Sequence, residues 1–381
     1  MRRDVFTDDH EAFRRLARDF IAKEVVPHYA EWEEAGRLPR ALFEQLGALG
    51  LLGTAVPEEY GGAGLADYRY NVVLQEESAR ALVTLGTVRT QLDVVLPYFL
   101  TYADRDQRER WFPGLASGAL LTAIAMTEPG TGSDLAGMAT TAGRDGDAWV
   151  LNGSKTFITG GGQSDLVVVV ARTSTSQDRR GGLSLLVVED GMPGFQRGRM
   201  LKKLGLLAQD TTELFFDDVR VPAANLLGEE GRAFEYLSGN LAQERLSIAV
   251  NAQAQAVAAL TVTAGYVRDR KVFGKALSTF QNTRFVLADL HSRLAAGQAY
   301  VDRALECHER GALSPAEAAS VKLFCTELQG DVVDACLQLH GGYGYIREYD
   351  ICRLYADARV SRIYGGTSEV MKTIIAKSMD L

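Results

Sequence analysis

Cysteine is scarce in this chain of 381 residues. The four present, Cys307, Cys325, Cys336 and Cys352, all fall in the last quarter, and no two form a C-x-x-C pair. That spacing gives no disulfide framework and no zinc site; it reads as buried thiols in a reducing compartment, and no metal is expected. Basic charge is also in short supply. Lys and Arg number 41 against 49 Asp and Glu, a net charge of −8, with no basic stripe, so no nucleic-acid partner is expected. No G-x-G-x-x-G follows a strand, which removes a Rossmann dinucleotide site, and Gly132-Ser133-Asp134-Leu135-Ala136 is not the G-x-S-x-G of a serine hydrolase. Long charge-free apolar runs are missing except at residues 246–267. That segment carries Ser247, Asn251, Gln253, Gln255 and several alanines, so it reads as a helix buried in a bundle, and no membrane span is expected. Met1-Arg2-Arg3-Asp4 leads into a charged amphipathic stretch, not an apolar signal core, so a cytoplasmic location is expected. Internal repeats and low-complexity tracts are absent too.

A composition of 46% hydrophobic and 24% charged residues is enough to bury a large core, and the length suggests two or three domains. The first third reads as helical. Phe13, Leu16, Ala17, Phe20 and Ile21 recur at helical spacing behind an N-cap at Thr7, and Pro27, Pro39, Gly50, Gly53 and the Gly61-Gly62-x-Gly64 run punctuate further helices near 41–47, 68–81, 87–102 and 105–115. The apolar run 92–100, interrupted by Asp93 and Pro97, is expected in the core. From about residue 119 the period changes. Residues 165–171 (DLVVVVA) read as a strand buried on both faces, 183–188 and 213–219 add strands, and the polar segment 173–182 reads as an exposed loop. Helical periodicity returns in 232–240, 242–270, 281–309, 314–328 and 331–339, as expected of an antiparallel four-helix bundle. The expected fold class is α+β: an N-terminal helical domain (1–118), a middle β domain (119–228) and a C-terminal four-helix bundle (229–381).

Chemistry concentrates in residues 123–161. An apolar segment breaks into Thr127-Glu128-Pro129-Gly130-Thr131-Gly132-Ser133-Asp134, a turn whose glycines and hydroxyls can aim donors at a phosphate or a polar ring edge. Two hairpins are expected after it, turning at Asp145-Gly146 and Asn152-Gly153, with strands at 148–151 and 154–159. Three short motifs lie among the later helices: residues 268–275 with Gln281 beyond, 338–345, and 363–369. Taken singly, a basic turn is a helix-end cap and a Gly-rich turn is only a turn. Glu244 stands out because it shares a helical stripe with Leu237, Leu241 and Ile248, so its carboxylate leaves a mainly apolar face. A carboxyl there is expected to be buried, with its pKa raised toward the range useful for proton abstraction.

The segments AMTEPGTGSD and WVLNGSKTFITGG, followed in order by the three later motifs, resemble the cofactor and active-site segments of the acyl-CoA dehydrogenase family over nearly the whole chain. The resemblance implies that family's fold, bound FAD and a homotetramer. It implies that Met126, Thr127, Ser133, Phe157 and Thr159 contact the flavin or pyrophosphate of one FAD and that Thr367 and Glu369 lie near its other side. Arg270, Phe273, Gln281, Gln338 and Gly342 would contact an FAD held mainly by a neighbouring subunit. The implied reaction is α,β-dehydrogenation of an acyl-CoA thioester to the trans-2-enoyl-CoA, with electrons passed to an electron-transferring flavoprotein. Ser133, Arg245, Tyr364 and Gly365 would serve the substrate, with the Gly365 N–H polarising its carbonyl. Many family members carry the catalytic glutamate just before Gly-Thr, whereas this chain reads Tyr364-Gly365-Gly366-Thr367. The branch containing the long-chain and isovaleryl-CoA enzymes carries its base on a C-terminal-domain helix within a Glu-Arg pair, which Glu244-Arg245 matches. A medium- or long-chain substrate is expected on that basis, the alternatives being a branched-chain acyl-CoA or a carrier-protein-bound acyl thioester. A flavin oxygenase on this fold would keep the FAD segments but lose the base, so Glu244 counts against it.

Overall fold

The structure, a computed structural model, describes residues 3–174 and 180–381. Its N-terminal part is helical: α1 (Asp8–Phe20), α2 (Tyr29–Ala35), α3 (Arg40–Ala48), α4 (Arg69–Arg80), α5 (Gly86–Arg89), α6 (Leu96–Tyr102) and α7 (Arg105–Ser117). Thr7 caps α1 as expected, in extended backbone with its N–H donated to His10 Nδ1 at 3.1 Å. The helix expected at 87–102 is continuous but not uniform, because α5 and α6 are joined through a π-helical stretch, Thr90–Val95. Leu92, Val95, Leu96, Tyr98 and Phe99 are all buried, as the apolar run predicts.

The middle region is one twisted sheet of β1 (Thr122–Ala125), β2 (Thr141–Asp145), β3 (Ala148–Thr159), β4 (Leu166–Arg172), β5 (Leu183–Glu189), β6 (Phe195–Met200), β7 (Thr211–Pro222) and β8 (Leu226–Leu227). Its order is β6-β7-β3-β2-β4-β5-β8, with β1 parallel to β4. The valines of β4 are buried on both faces, each contributing about 1.5 kcal/mol or more. Even faces of β4 (Leu166, Val168, Val170) join the N-terminal helical core, while odd faces (Val167, Val169) join the core inside the sheet. The strand thus ties the two regions together. Of the expected loop 173–182, residues 175–179 lie outside the described residues.

Two expectations are corrected here. Asn152-Gly153 is not a hairpin turn: β3 runs unbroken from Ala148 to Thr159, with a register shift against β7 between Leu151 and Gly153. The local turn signal loses because β7 supplies partners on both sides of it, and Asn152 exchanges two 2.9 Å bonds with Asp218, which adopts positive φ opposite it. Likewise 232–240 and 242–270 merge into α8 (Ala233–Asp269), and 314–328 and 331–339 merge into α10 (Pro315–His340). Gly330 is no helix break. An added Cβ there would stand 2.7 Å from Arg362 Nη2, so the glycine lets a guanidinium cross the helix.

The hairpin β9 (Lys271–Val272) and β10 (Lys275–Ala276), α9 (Gln281–Glu309), α11 (Asp350–Ala358) and α12 (Ser368–Ser378) complete the C-terminal bundle. Its long members are α8, α9 and α10; the two short helices α11 and α12 pack on α10. α8 is long and apolar enough to cross a bilayer, yet it is packed against α4, α9 and α10 and most of its apolar window is buried in the protein. Among the cysteines, Cys325 and Cys336 are buried as expected, whereas Cys307 and Cys352 are partly exposed.

Candidate active site

The bundle and the sheet meet around a cavity of about 420 Å³. The sheet side contributes Met126, Thr127 and Ser133 from the loop after β1; α8 contributes Leu241, Glu244 and Arg245, and the loop before α12 contributes Gly365 and Gly366. Five expected site residues from distant parts of the sequence are therefore brought together with Gly365.

Glu244 is the acid in this cavity that α8 carries on its apolar stripe. Leu237 and Ile248 on the same stripe are buried, and Glu244 itself is 6% exposed. Burial pushes its carboxyl up to about 7, opposed by a hydrogen bond from the Tyr98 hydroxyl to Oε1 at 3.1 Å and by the charges of Arg245 and Arg89. Arg245 is buried beside it, and burial lowers its pKa; its Nε has no partner among the described residues. A buried, unpaired guanidinium N–H at a cavity wall is a donor waiting for an acceptor.

Gly365 adopts φ +64°, the left-handed region, and an added Cβ would stand 2.3 Å from Ile248 Cδ1. Any side chain at this position would need Ile248 Cδ1 to move and would sit in strained left-handed backbone. The Gly365 N–H has no acceptor among the described residues. Its loop is braced from two sides: Lys322 of α10, buried, donates to the Gly366 carbonyl, and Arg89 of α5 bonds Ser247 Oγ at 3.1 Å and lies over the Tyr364 ring at 5.5 Å. Ser247 in turn donates to Asp93 at 2.6 Å, and Asp93 also accepts from Asn71 and Gln75. Asp93 was legible only as an interruption in an apolar run; here it anchors a buried network linking α4, α5 and α8.

On the sheet side, Lys155 is fully buried and donates to the Met126 carbonyl at 3.0 Å and to Glu128 Oε1 at 2.9 Å. Glu128 also accepts from the Ala139 and Thr140 N–H groups at 2.7 and 2.9 Å. Burial works against its ionisation, but these bonds outweigh it and hold the carboxyl at about 2. The pair fixes both ends of the 126–140 loop. Within that loop no atom of the described residues stands within 4 Å of where a Cβ of Gly130 or Gly132 would be, so a ligand can approach the backbone there. Thr156 N–H bonds the Thr127 carbonyl at 2.9 Å, and Phe157 follows in left-handed backbone, 67% exposed. Thr159 Oγ1 accepts from Gln209 at 3.2 Å. An exposed aromatic residue, an open glycine turn and the hydroxyls of Thr127, Ser133 and Thr159 fit a planar ring with a phosphate tail, as FAD has.

Phe157 and Thr159, the expected substrate residue Tyr364 and the other expected cofactor residues are not among those lining this cavity. Thr367 caps α12 by accepting from Val370 N–H at 3.3 Å, and Glu369 is exposed in that helix's first turn. Arg270, Phe273, Gln281, Gln338 and Gly342 are exposed. Arg270 lies over the Tyr343 ring at 5.2 Å, and Tyr266 stacks on His340 at 4.1 Å, so the 268–275 and 338–345 motifs meet at one end of the bundle. Tyr98, Arg89, Lys322, Lys155 and Glu128 were not recognised in the sequence. For Lys155 a signal existed, since a lysine interrupts a strand of mostly apolar and hydroxyl residues.

Family models match along the chain: the acyl-CoA dehydrogenase N-terminal domain at residues 7–119, the middle domain at 123–219 and the C-terminal domain at 231–379. The long-chain specific acyl-CoA dehydrogenase, mitochondrial, of Sus scrofa is 46% identical over 99% of this chain and 88% of its own. A crystal structure of acyl-CoA dehydrogenase from Geobacillus kaustophilus is 46% identical, covers 100% of both chains and superposes with a TM-score of 0.98. A glutaryl-CoA dehydrogenase from Mycobacterium smegmatis in complex with FADH2 is 29% identical, with a TM-score of 0.89 over 98% of this chain and 95% of its own. The chain belongs to the acyl-CoA dehydrogenase family, oxidoreductases acting on acyl-CoA.

Proposed function

We propose that this protein is an FAD-dependent dehydrogenase of medium- or long-chain acyl-CoA, with Glu244 as its base and an electron-transferring flavoprotein as its oxidant. The observation that carries the reading is the position of Glu244: a buried carboxyl, pushed up to about 7, in one cavity with Gly365, Arg245 and the 126–133 loop. A base poised near neutral pH suits abstraction of a weakly acidic α proton. The Gly365 N–H, without an acceptor among the described residues, would bond the thioester carbonyl and stabilise the charge that grows there as the proton leaves. Ser133, Arg245 and Tyr364 would position the thioester. Lys322 and Arg89 hold the 364–366 loop so that this donor needs no rearrangement.

FAD, when bound, supplies the acceptor for the β hydride. Met126, Thr127, Ser133, Phe157 and Thr159 would hold it on the sheet side, with Thr367 and Glu369 on the other. Arg270, Phe273, Gln281, Gln338 and Gly342, exposed at the end of the bundle, would meet the FAD of a neighbouring subunit in a homotetramer. A cytoplasmic setting is part of the same proposal. The test is the visible spectrum of the purified protein. A flavin spectrum that bleaches anaerobically with acyl-CoA, fastest for medium or long straight chains, is the expected result. A colourless protein, or a flavin that acyl-CoA leaves oxidised, contradicts it, and faster bleaching by branched or carrier-protein thioesters moves the substrate.

A further inference from the structure

We propose that Tyr98 is a positioning residue for Glu244, its hydroxyl holding Oε1 of the carboxylate so that Oε2 is the oxygen offered to the substrate's α proton. This rests on the reading of Glu244 as the base.

The geometry is specific. Tyr98 Oη donates to Glu244 Oε1 at 3.1 Å, and Oε2 has no hydrogen-bond partner among the described residues. Tyr98 is fully buried, and its ring is held in an aromatic cluster: Tyr102 lies 6.4 Å away and itself stacks on Tyr236 of α8 at 3.8 Å. A residue so confined keeps one rotamer, and its hydroxyl is a fixed donor. The backbone supplies the aim. A π turn holds one residue more than an α turn, so the Thr90–Val95 stretch rotates all that follows by about 100° relative to a regular helix. That rotation sets which face of α6 meets α8, and it is the face carrying Tyr98, on Glu244, and Tyr102, on Tyr236. On the near side of the same stretch, Arg89 reaches Ser247 and Tyr364. One irregular helix thus addresses both the base and the carbonyl-binding loop.

The charged and titratable groups acting on Glu244 are Tyr98 of α6, Arg89 of α5 and Arg245 of its own helix, with Lys322 of α10 adjoining Arg245; Asp134 and Arg180 line the same cavity from the sheet side. Burial raises the Glu244 pKa, and among its neighbours the Tyr98 bond is the largest opposing effect, ahead of both arginines. Losing that donor removes support from the ionised form alone, so the carboxyl should titrate higher.

Two readouts test this on the holoenzyme. One is the infrared band of the protonated Glu244 carboxyl, assigned by its loss in Glu244→Gln and followed against pH. The other is α-proton exchange in deuterated water of an acyl-CoA that carries no β hydrogen, which requires proton abstraction but no hydride transfer. In Tyr98→Phe both midpoints are expected to rise by about one pH unit. Replacing Tyr98 with 3-fluorotyrosine, a stronger acid of nearly the same volume, is expected to lower both, and it decides the matter if Tyr98→Phe fails to fold. Midpoints unmoved in the folded variants, whether or not rates fall, overturn the proposal. Exchange persisting in Glu244→Gln overturns the base assignment instead, so the two failures are separable.

Discussion

Replacing Lys155 with Met deletes a fully buried cation whose ammonium joins Glu128 at 2.9 Å and the Met126 carbonyl at 3.0 Å. Methionine preserves most of the volume, so what is lost is charge, the two hydrogen bonds to oxygen and a weaker one to Met138 Sδ at 3.8 Å. Removing one partner of a buried pair leaves the other ion uncompensated and costs about 3–5 kcal/mol. Glu128 keeps the Ala139 and Thr140 N–H donors, which places the cost near the low end, about 3 kcal/mol, or roughly two decades in the equilibrium for opening the 126–140 loop. Unfolding of a three-part chain is not expected to be two-state, so the assay is local: hydrogen exchange of peptides spanning 126–140. Protection of the Ala139 and Thr140 amides should fall by about a hundredfold in Lys155→Met. In the double variant with Glu128→Gln most of that loss should return, because no buried charge is then left unpaired. A related pH effect follows. The Glu128 carboxyl titrates at about 2 in the closed loop, against an ordinary value of 4.5. The stability it gives is complete above pH 4.5 and is lost as pH falls through about 2, so wild-type protection should decline across that window. Exchange in Lys155→Met within fivefold of wild type would refute the reasoning, for it would mean that water reaches Glu128 already.

Moving the base to the loop is expected to fail in the simple form: Glu244→Gln with Gly365→Glu should reduce flavin no faster than Glu244→Gln, because the new Cβ meets Ile248 Cδ1 at 2.3 Å in left-handed backbone. Adding Ile248→Ala should recover at least tenfold in anaerobic flavin reduction, and equal rates with and without it would deny the clash. Arg270→Ala should lower flavin retention and loosen the oligomer together, since one charge is proposed to serve both. A flavin-to-protein ratio unchanged after dilution and gel filtration would leave Arg270 only its contact over Tyr343, worth about 0.5–1 kcal/mol.

The layout of helices, sheet and bundle was legible because periodicity carries it: DLVVVVA is buried on both faces as β4, and 281–309 is α9. What failed were local signals overridden by partners distant in sequence. Asn152-Gly153 has the composition of a hairpin turn, yet β7 holds it in a strand, and Gly330 looks like a break until Arg362 is seen crossing there. Within the site, Glu244 could be read because an acid on an apolar stripe is a one-dimensional anomaly. Its partner could not: Tyr98 and Glu244 are 146 positions apart, and an aromatic in an apolar run is ordinary. The π stretch that aims Tyr98 left no mark that periodicity could detect. The role of Arg270, Phe273, Gln281, Gln338 and Gly342 lies outside the single chain altogether, since their proposed ligand belongs to a neighbour.

The central claim, that the Glu244 carboxylate takes the α proton, is tested most directly by anaerobic stopped-flow reduction of the flavin in Glu244→Gln. The amide keeps the size of the side chain and leaves Tyr98 a carbonyl oxygen to bond, but it cannot accept a proton from carbon. The account predicts a variant that retains its flavin, binds acyl-CoA, and bleaches at least a thousandfold more slowly than wild type, on the order of the upper range for general-base catalysis. Bleaching within tenfold of the wild-type rate would contradict it and remove Glu244 from the mechanism.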